Sequence, residues 1–245
     1  MSLAGRGVLV TRPRELASGL AGRIEAAGGR AILFPVIEID PLPPPPALQR
    51  LAEYDLVVFI SPTTVAIAAP HAKDLQKARL AAIGAGTRQA LELHAGRTVL
   101  APAAGGDSET LLALPELADL SGCRVLIVRG EGGRALLGDA LNSRGARVEY
   151  AECYRRRRPA ADPAPLLARW QYRAVDAVTM FSAESLANLL QIVGEAGVAR
   201  VRETPLFVPH ERVARAAAQQ GVREVVVSGA SDAEMLERLV AYFSK

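Results

Sequence analysis

The chain has 245 residues, half of them hydrophobic, 22% charged and 4% aromatic, with a formal net charge of +3. That length suits two small domains or one large one, with a core of Val, Leu, Ile and Ala. A mild positive balance without a basic stripe or groove-reading motif argues against nucleic acid. No uncharged apolar run is long enough for a bilayer, and Arg6 and a first strand come too early for a secretory leader, so a cytoplasmic protein without a membrane partner is expected.

Short apolar runs alternate with longer amphipathic ones, which predicts parallel α/β structure. Strands are expected at Gly7–Thr11, Ala31–Phe34, Leu56–Ile60, Leu80–Ile83, Thr98–Leu100, Arg124–Val128, Arg147–Tyr150, Ala177–Phe181, Leu206–Val208 and Glu224–Val227. Most are apolar throughout, as strands covered on both faces are. Helices fit between them. Arg14–Ala27 stops at Gly28-Gly29, Ser61-Pro62 and Ser182 start helices, Gly133–Ser143 follows a strand, and Ser231–Glu234 is a capping box. Cys123 and Cys153 fall in strand segments without metal-ligand spacing and are expected as buried free thiols. The scattered His71, His94 and His210 give no metal site.

The chain also reads the same way twice. Gly7–Pro13 is echoed by Cys123–Gly130, Tyr54–Val65 by Val175–Leu186, and Leu80–Leu91 more weakly by Pro205–Ala217. An internal duplication in the same order implies two similar lobes and a cleft. Two segments interrupt the rhythm. Pro35–Pro46 alternates and runs into four prolines; Glu149–Pro159 alternates and runs into four arginines. As inter-lobe crossings they make the first lobe discontinuous: 1–35 with 157–245, a second lobe at 41–149, and connectors at 36–40 and 150–156. Two consecutive lobes meeting near residue 120 fit the pattern as well.

In such lobes ligands sit beyond the carboxyl ends of strands. The loops there are Thr11–Arg14, Ser61–Thr64, Gly84–Thr87, Arg129–Arg134, Ser182–Ser185 and Pro209–Arg212. Helix N-termini and arginines 12, 14, 129, 134 and 212 suit anions. Each alone is as readily a solvated surface charge, but Arg12 and Arg129 recur after equivalent strands. Gly130-x-Gly132-x-x-Ala135 with Glu149 downstream is a passable dinucleotide fingerprint, weakened by Arg129 and Arg134 crowding the loop. His210 and Glu211 read as a helix cap. Tyr154, followed by Arg155–Arg158, could have its phenol tuned by those charges, or could be a plain interfacial tyrosine. A non-catalytic two-lobed binding protein for a polycarboxylate or sugar fits these residues too.

Taken in order, VLVTRP at Val8–Pro13, P-x-I-x-I at Pro35–Ile39, FISPTTV at Phe59–Val65, IGAGT at Ile83–Thr87, VLIVRGEGGR at Val125–Arg134, Tyr154-Arg155 and FSAESL at Phe181–Leu186 resemble the uroporphyrinogen-III synthase family over nearly the whole chain. The resemblance implies two flavodoxin/Rossmann-like parallel-sheet lobes joined by a two-stranded connector. It also implies a cyclising lyase that converts linear hydroxymethylbilane to uroporphyrinogen III, inverting the last pyrrole ring and losing water, in haem biosynthesis. No cofactor or metal is implied. The partner is the small tetrapyrrole polycarboxylate, with room for a transient contact with the enzyme that supplies it. Tyr154 matches the family's tyrosine and is the candidate for assisting hydroxyl departure. Ser61, Thr87 and Ser182 match substrate-binding positions, and Arg12 and Arg129 join them by location. In Pro209–Val213 the chain departs from the family pattern: Val213 stands where a threonine is common, Glu211 would repel a carboxylate, and Arg212 is the compensating candidate.

Overall fold

A computed structural model describes residues 2–133 and 135–244. In chain order it contains β1 (Gly7–Val10), α1 (Arg14–Ala26), β2 (Arg30–Leu33), β3 (Glu38–Pro41), β4 (Leu56–Phe59), α2 (Pro62–Ala68), β5 (Leu80–Ala82), α3 (Ala85–Ala95), α4 (Ser108–Leu112), β6 (Arg124–Gly130) and α5 (Leu136–Ser143). It continues with β7 (Arg147–Arg157), α6 (Ala164–Gln171), β8 (Ala177–Thr179), α7 (Ala183–Glu203), β9 (Leu206–Val208), α8 (Glu211–Gln219), β10 (Val225–Val227) and α9 (Asp232–Phe243). Two compact units result. One runs through Glu38 and resumes at Arg157; the other is Ile39–Arg156.

Each unit is built on a five-stranded sheet, ordered β10-β9-β8-β1-β2 in the first and β3-β7-β6-β4-β5 in the second. All four pairings of the first sheet are parallel, as are β7-β6, β6-β4 and β4-β5. Central strands must be apolar on both faces, and β1 (GVLV) and β4 (LVVF) are buried throughout. In the first unit Val8, Val10 and Phe207 pack against Leu20 and Ile24 of α1 and Met235 and Leu239 of α9. In the second, Val57, Phe59, Leu126 and Val128 face Val65 of α2 and Leu91 of α3. On the opposite face, Val58 and Ile127 meet Leu111, Leu137 and Leu141 from α4 and α5.

The sequence duplication has a structural counterpart. Substituting β5 for β9, β4 for β8, β6 for β1 and β7 for β2 turns one run of neighbours, β9-β8-β1-β2, into the other, β5-β4-β6-β7. The fifth strand of the first sheet, β10, corresponds to the expected strand at Thr98–Leu100. That segment shrinks to one parallel bridge, Leu100 to Ala81.

Local chemistry sets the helix starts. Ser61 accepts from Thr64 N–H while the Thr64 hydroxyl reaches the Ser61 N–H, with proline at the first helical position. Ser231 and Glu234 form the same box ahead of α9. Gly28, at φ 79°, turns the chain out of α1 where a side chain would be strained. Across β1 and β8 two buried threonines satisfy each other's strands: Thr11 Oγ1 donates to Thr179 O at 2.7 Å and Thr179 Oγ1 to Leu9 O at 3.1 Å.

Other expectations are corrected. Cys123 precedes β6 and is half-buried; only Cys153 is buried. Arg129 lies inside β6, not in the loop after it. The helix expected from Gly133 starts at Leu136. β7 is a single strand where a strand ending at Tyr150 and a separate segment were expected; the changes from one unit to the other lie in the segments read as crossings, at Glu38/Ile39 and Arg156/Arg157. Arg134 lies outside the described residues.

Candidate functional site

In the second unit the carboxyl ends of β4, β5 and β6 release Ser61, Gly84 and Gly130 at one edge of the sheet. Ser61 uses its oxygen as the N-cap of α2, at 3.1 Å from Thr64 N, and keeps its O–H to donate. Gly84 lets another backbone in: a Cβ there would lie 2.7 Å from Gly106 Cα. This packs the 105–106 turn against the start of α3. Thr87, at the third position of α3, is 2% exposed, and its hydroxyl has no partner among the described residues.

Tyr154 is placed by a β-bulge. Along β6 and β7, Arg129 pairs with Glu152 but Gly130 pairs with Tyr154, so Cys153 is one residue too many. The extra residue breaks the alternation and turns Tyr154 to the face of Ala151 and Cys153, against Phe59 and Val128. Tyr154 is 3% exposed, and its hydroxyl has no hydrogen-bond partner among the described residues. Burial raises the Cys153 thiol to about 11, so it stays protonated, and Sγ donates to Arg129 O at 3.4 Å. Arg155 and Arg157, which follow Tyr154 in the chain, point to acidic partners instead. Arg155–Arg158 are exposed; Arg155 lies 3.7 Å from Asp40, and Arg157 pairs with Glu38 at 3.2 Å.

Arg129 projects on the other face of the sheet. Its Nε and Nη2 donate to Glu152 Oε1 at 3.1 and 2.9 Å, its Nη1 donates to Gly133 O at 3.2 Å, and its guanidinium sits 3.9 Å over the Tyr150 ring. Among the described residues its other two N–H groups have no partner. Arg129 and Tyr150 line a cavity of about 190 Å³ together with Ile60, Ile83, Ile127, Leu137, Asp107 and Ser108. Glu149, the expected acid of a dinucleotide fingerprint, pairs with Leu126, far down β7 from Gly130. It accepts from Tyr54 at 2.6 Å and Arg50 at 3.0 Å, so its carboxylate is engaged away from the glycine turn.

In the first unit Arg12, Ser182 and Arg212 follow β1, β8 and β9 at the carboxyl edge. Arg12 pairs with Asp232 at 2.5 Å and stacks 3.5 Å over Phe181. Burial lowers its pKa despite the Asp232 charge. Ser182 caps α7 through Ser185 N at 3.1 Å. Arg212 is exposed and, among the described residues, makes no ion pair. His210 occupies the N-cap position of α8, but its side chain makes no cap bond, contrary to expectation. Val213 holds the third position of α8, as Thr87 does in α3, and is 4% exposed.

Sequence reading missed Glu152, Asp232, Tyr150 and Phe181, which hold the two arginines, and Gly130, which lies under Tyr154. Gly130 and Phe181 lay in segments already singled out, but Gly130 was read there only as the first glycine of a dinucleotide fingerprint. Among the described residues no helix is long and apolar enough to cross a membrane, and no group of acidic, histidine or cysteine side chains could hold a metal ion.

The family model for uroporphyrinogen-III synthase HemD matches residues 18–237. The uroporphyrinogen-III synthase of Escherichia coli K12 is 37% identical over 244 residues, covering 94% of this chain and 98% of that protein. That of Salmonella typhimurium is also 37% identical, with the same coverage. Among solved structures, uroporphyrinogen-III synthetase from Helicobacter pylori covers 98% of this chain and 100% of its own at TM-score 0.66 and 13% identity. A mutant uroporphyrinogen III synthase from the extremely thermophilic bacterium Thermus thermophilus covers 98% and 99% at TM-score 0.61 and 22% identity. The fold is shared with these structures. By family model and by sequence identity over nearly its whole length, the chain belongs to the uroporphyrinogen-III synthase family.

Proposed function

We propose that this protein cyclises hydroxymethylbilane to uroporphyrinogen III with loss of water and inversion of the last pyrrole ring, as a lyase of tetrapyrrole biosynthesis. The observation that carries the reading is the 37% identity to the Escherichia coli uroporphyrinogen-III synthase over 94% of this chain. The substrate's carboxylates suit what the strand edges offer. Ser61 keeps its O–H, Thr87 its hydroxyl and Arg129 two N–H groups, beside the N-termini of α2 and α3. In the first unit Ser182, Arg12 and exposed Arg212 serve in the same way. A cytoplasmic location and a passing contact with the enzyme that supplies the bilane belong to this proposal.

Tyr154 is assigned the proton. Its O–H donates toward the departing hydroxyl, which leaves as water, and the cationic terminus is then open to attack by the last ring. An unpartnered phenol held at a sheet edge can make that donation without first breaking another bond. Attack at the substituted carbon, fragmentation of the spiro intermediate and reclosure give the inverted ring. Holding the bilane folded for that attack is a matter of orientation, the larger part of the task. The test supplies hydroxymethylbilane, oxidises the product and separates the isomers. Type III is expected; type I alone, as in a blank, overturns the reading. Tyr154→Phe is expected to slow turnover by about 100-fold with an unchanged melting temperature. Unchanged kinetics would leave the tyrosine a packing residue.

A further inference from the structure

We propose that Gly130 is a positioning residue for Tyr154: its missing side chain, together with the extra residue Cys153, fixes where the phenol hydroxyl stands. The proposal rests on the reading of Tyr154 as the proton donor. A Cβ at Gly130 would lie 2.6 Å from Cε2 and Cζ of Tyr154 and 3.0 Å from its Oη. Carbon atoms in contact need about 3.5–4 Å, so the ring lies where only glycine leaves room. The contact is with the reacting end of the side chain, not with its stem.

Two features turn this from packing into positioning. First, φ at Gly130 lies outside the left-handed region, so the backbone itself does not require glycine. What the position excludes is a side chain. Second, the ring has little freedom to step aside, being 3% exposed among Phe59, Val128 and Ala151. The ring end, from Cε2 to Oη, is the part that lies over Gly130, so the space left there sets where the hydroxyl stands. The bulge fixes the register: Gly130 pairs with Tyr154, and Glu131 N donates to Tyr154 O at 2.7 Å just beyond. Without the extra residue, Cys153 would stand opposite Gly130.

Gly130→Ala therefore displaces the hydroxyl by about an ångström, a shift that can cost on the order of 100-fold in rate. The expected result is a fall in kcat of about 10- to 100-fold with KM nearly unchanged, and a larger fraction of type I isomer, because bilane released unturned cyclises by itself. In a Tyr154→Phe background the same alanine is expected to change kcat by less than about twofold. A folded Gly130→Ala enzyme with wild-type kcat overturns the proposal while leaving Tyr154 in place. An equal loss in both backgrounds overturns it as well. If Tyr154→Phe alone is silent, the reading of Tyr154 fails instead. If Gly130→Ala does not fold, it is paired with Tyr154→Leu. Recovery of the melting temperature supports the ring overlap, and continued failure to fold overturns it.

Discussion

Replacing Arg129 with methionine separates gripping substrate from holding the protein together. The guanidinium makes two charged bonds to one Glu152 oxygen, one bond to the Gly133 carbonyl and a stack on Tyr150. A buried charged pair is worth more than a surface one, and here Arg129 is 14% exposed but Glu152 35%, so the pair is discounted to about 1–2 kcal/mol. The Gly133 carbonyl adds about 1 kcal/mol and the stack about 0.5–1 kcal/mol. The variant is therefore expected to lose about 3 kcal/mol, which in a chain of this size lowers Tm by about 9 °C. Thermal unfolding followed by far-ultraviolet circular dichroism reads this directly. KM for the bilane, measured well below the new Tm, is expected to rise by about 10-fold from the loss of the two remaining N–H groups. An unchanged Tm with a raised KM would refute the structural half, making Arg129 an anchor for ligand alone. A lowered Tm with unchanged KM would refute the other half.

Burial that holds the Cys153 thiol near 11 predicts that a thiol reagent labels one cysteine, half-buried Cys123, in the native protein and the second only on unfolding. Mass spectrometry of the labelled peptides decides which reacted first. Tyr54 is raised from 10 to about 12, mainly by burial and then by its bond to Glu149. A raised folded pKa stabilises fully below the unfolded value, so this contribution is lost as pH climbs from 10 to 12. Tyr54→Phe is expected to flatten urea-measured stability across that window, and a slope equal to wild type would count against it. Carboxylate binding by Arg12, Arg129 and Arg212 predicts a KM that rises with added salt, and a salt-independent KM would argue against charge-led binding.

The sequence revealed what is local and concealed what is paired. Apolar runs marked β1 and β4, and Ser61-Pro62 and Ser231–Glu234 marked two helix starts, because each feature is decided within a few residues. Repeated segments pointed to equivalent strands. The partners of the arginines were not legible: Glu152 is 23 residues from Arg129 and Asp232 is 220 from Arg12. Nor was the direction of Tyr154. Simple alternation along β7 puts it with Tyr150 and Glu152, and only pairing with β6 shows the extra residue that moves it to the core face. Its place in the chain came from family likeness; its surroundings came from the sheet.

The order of synthesis gives the discontinuous unit its own timing. Unit Ile39–Arg156 is one continuous stretch and has all its strands once residue 156 has left the ribosome. The other unit must wait. β1 is made well before its neighbour β8, which comes about 170 residues later, with Val8 paired to Ala177, and α9, which covers α1, comes later still. Until then β1, α1 and β2 form a fragment with an uncovered apolar face, the kind of intermediate that chaperones hold and that aggregates when crowded. A folded insert shortens the search, because its ends leave from neighbouring strands β3 and β7, and the effective loop to be closed is far shorter than the residue count. Slow refolding phases are thus expected to belong to the discontinuous unit.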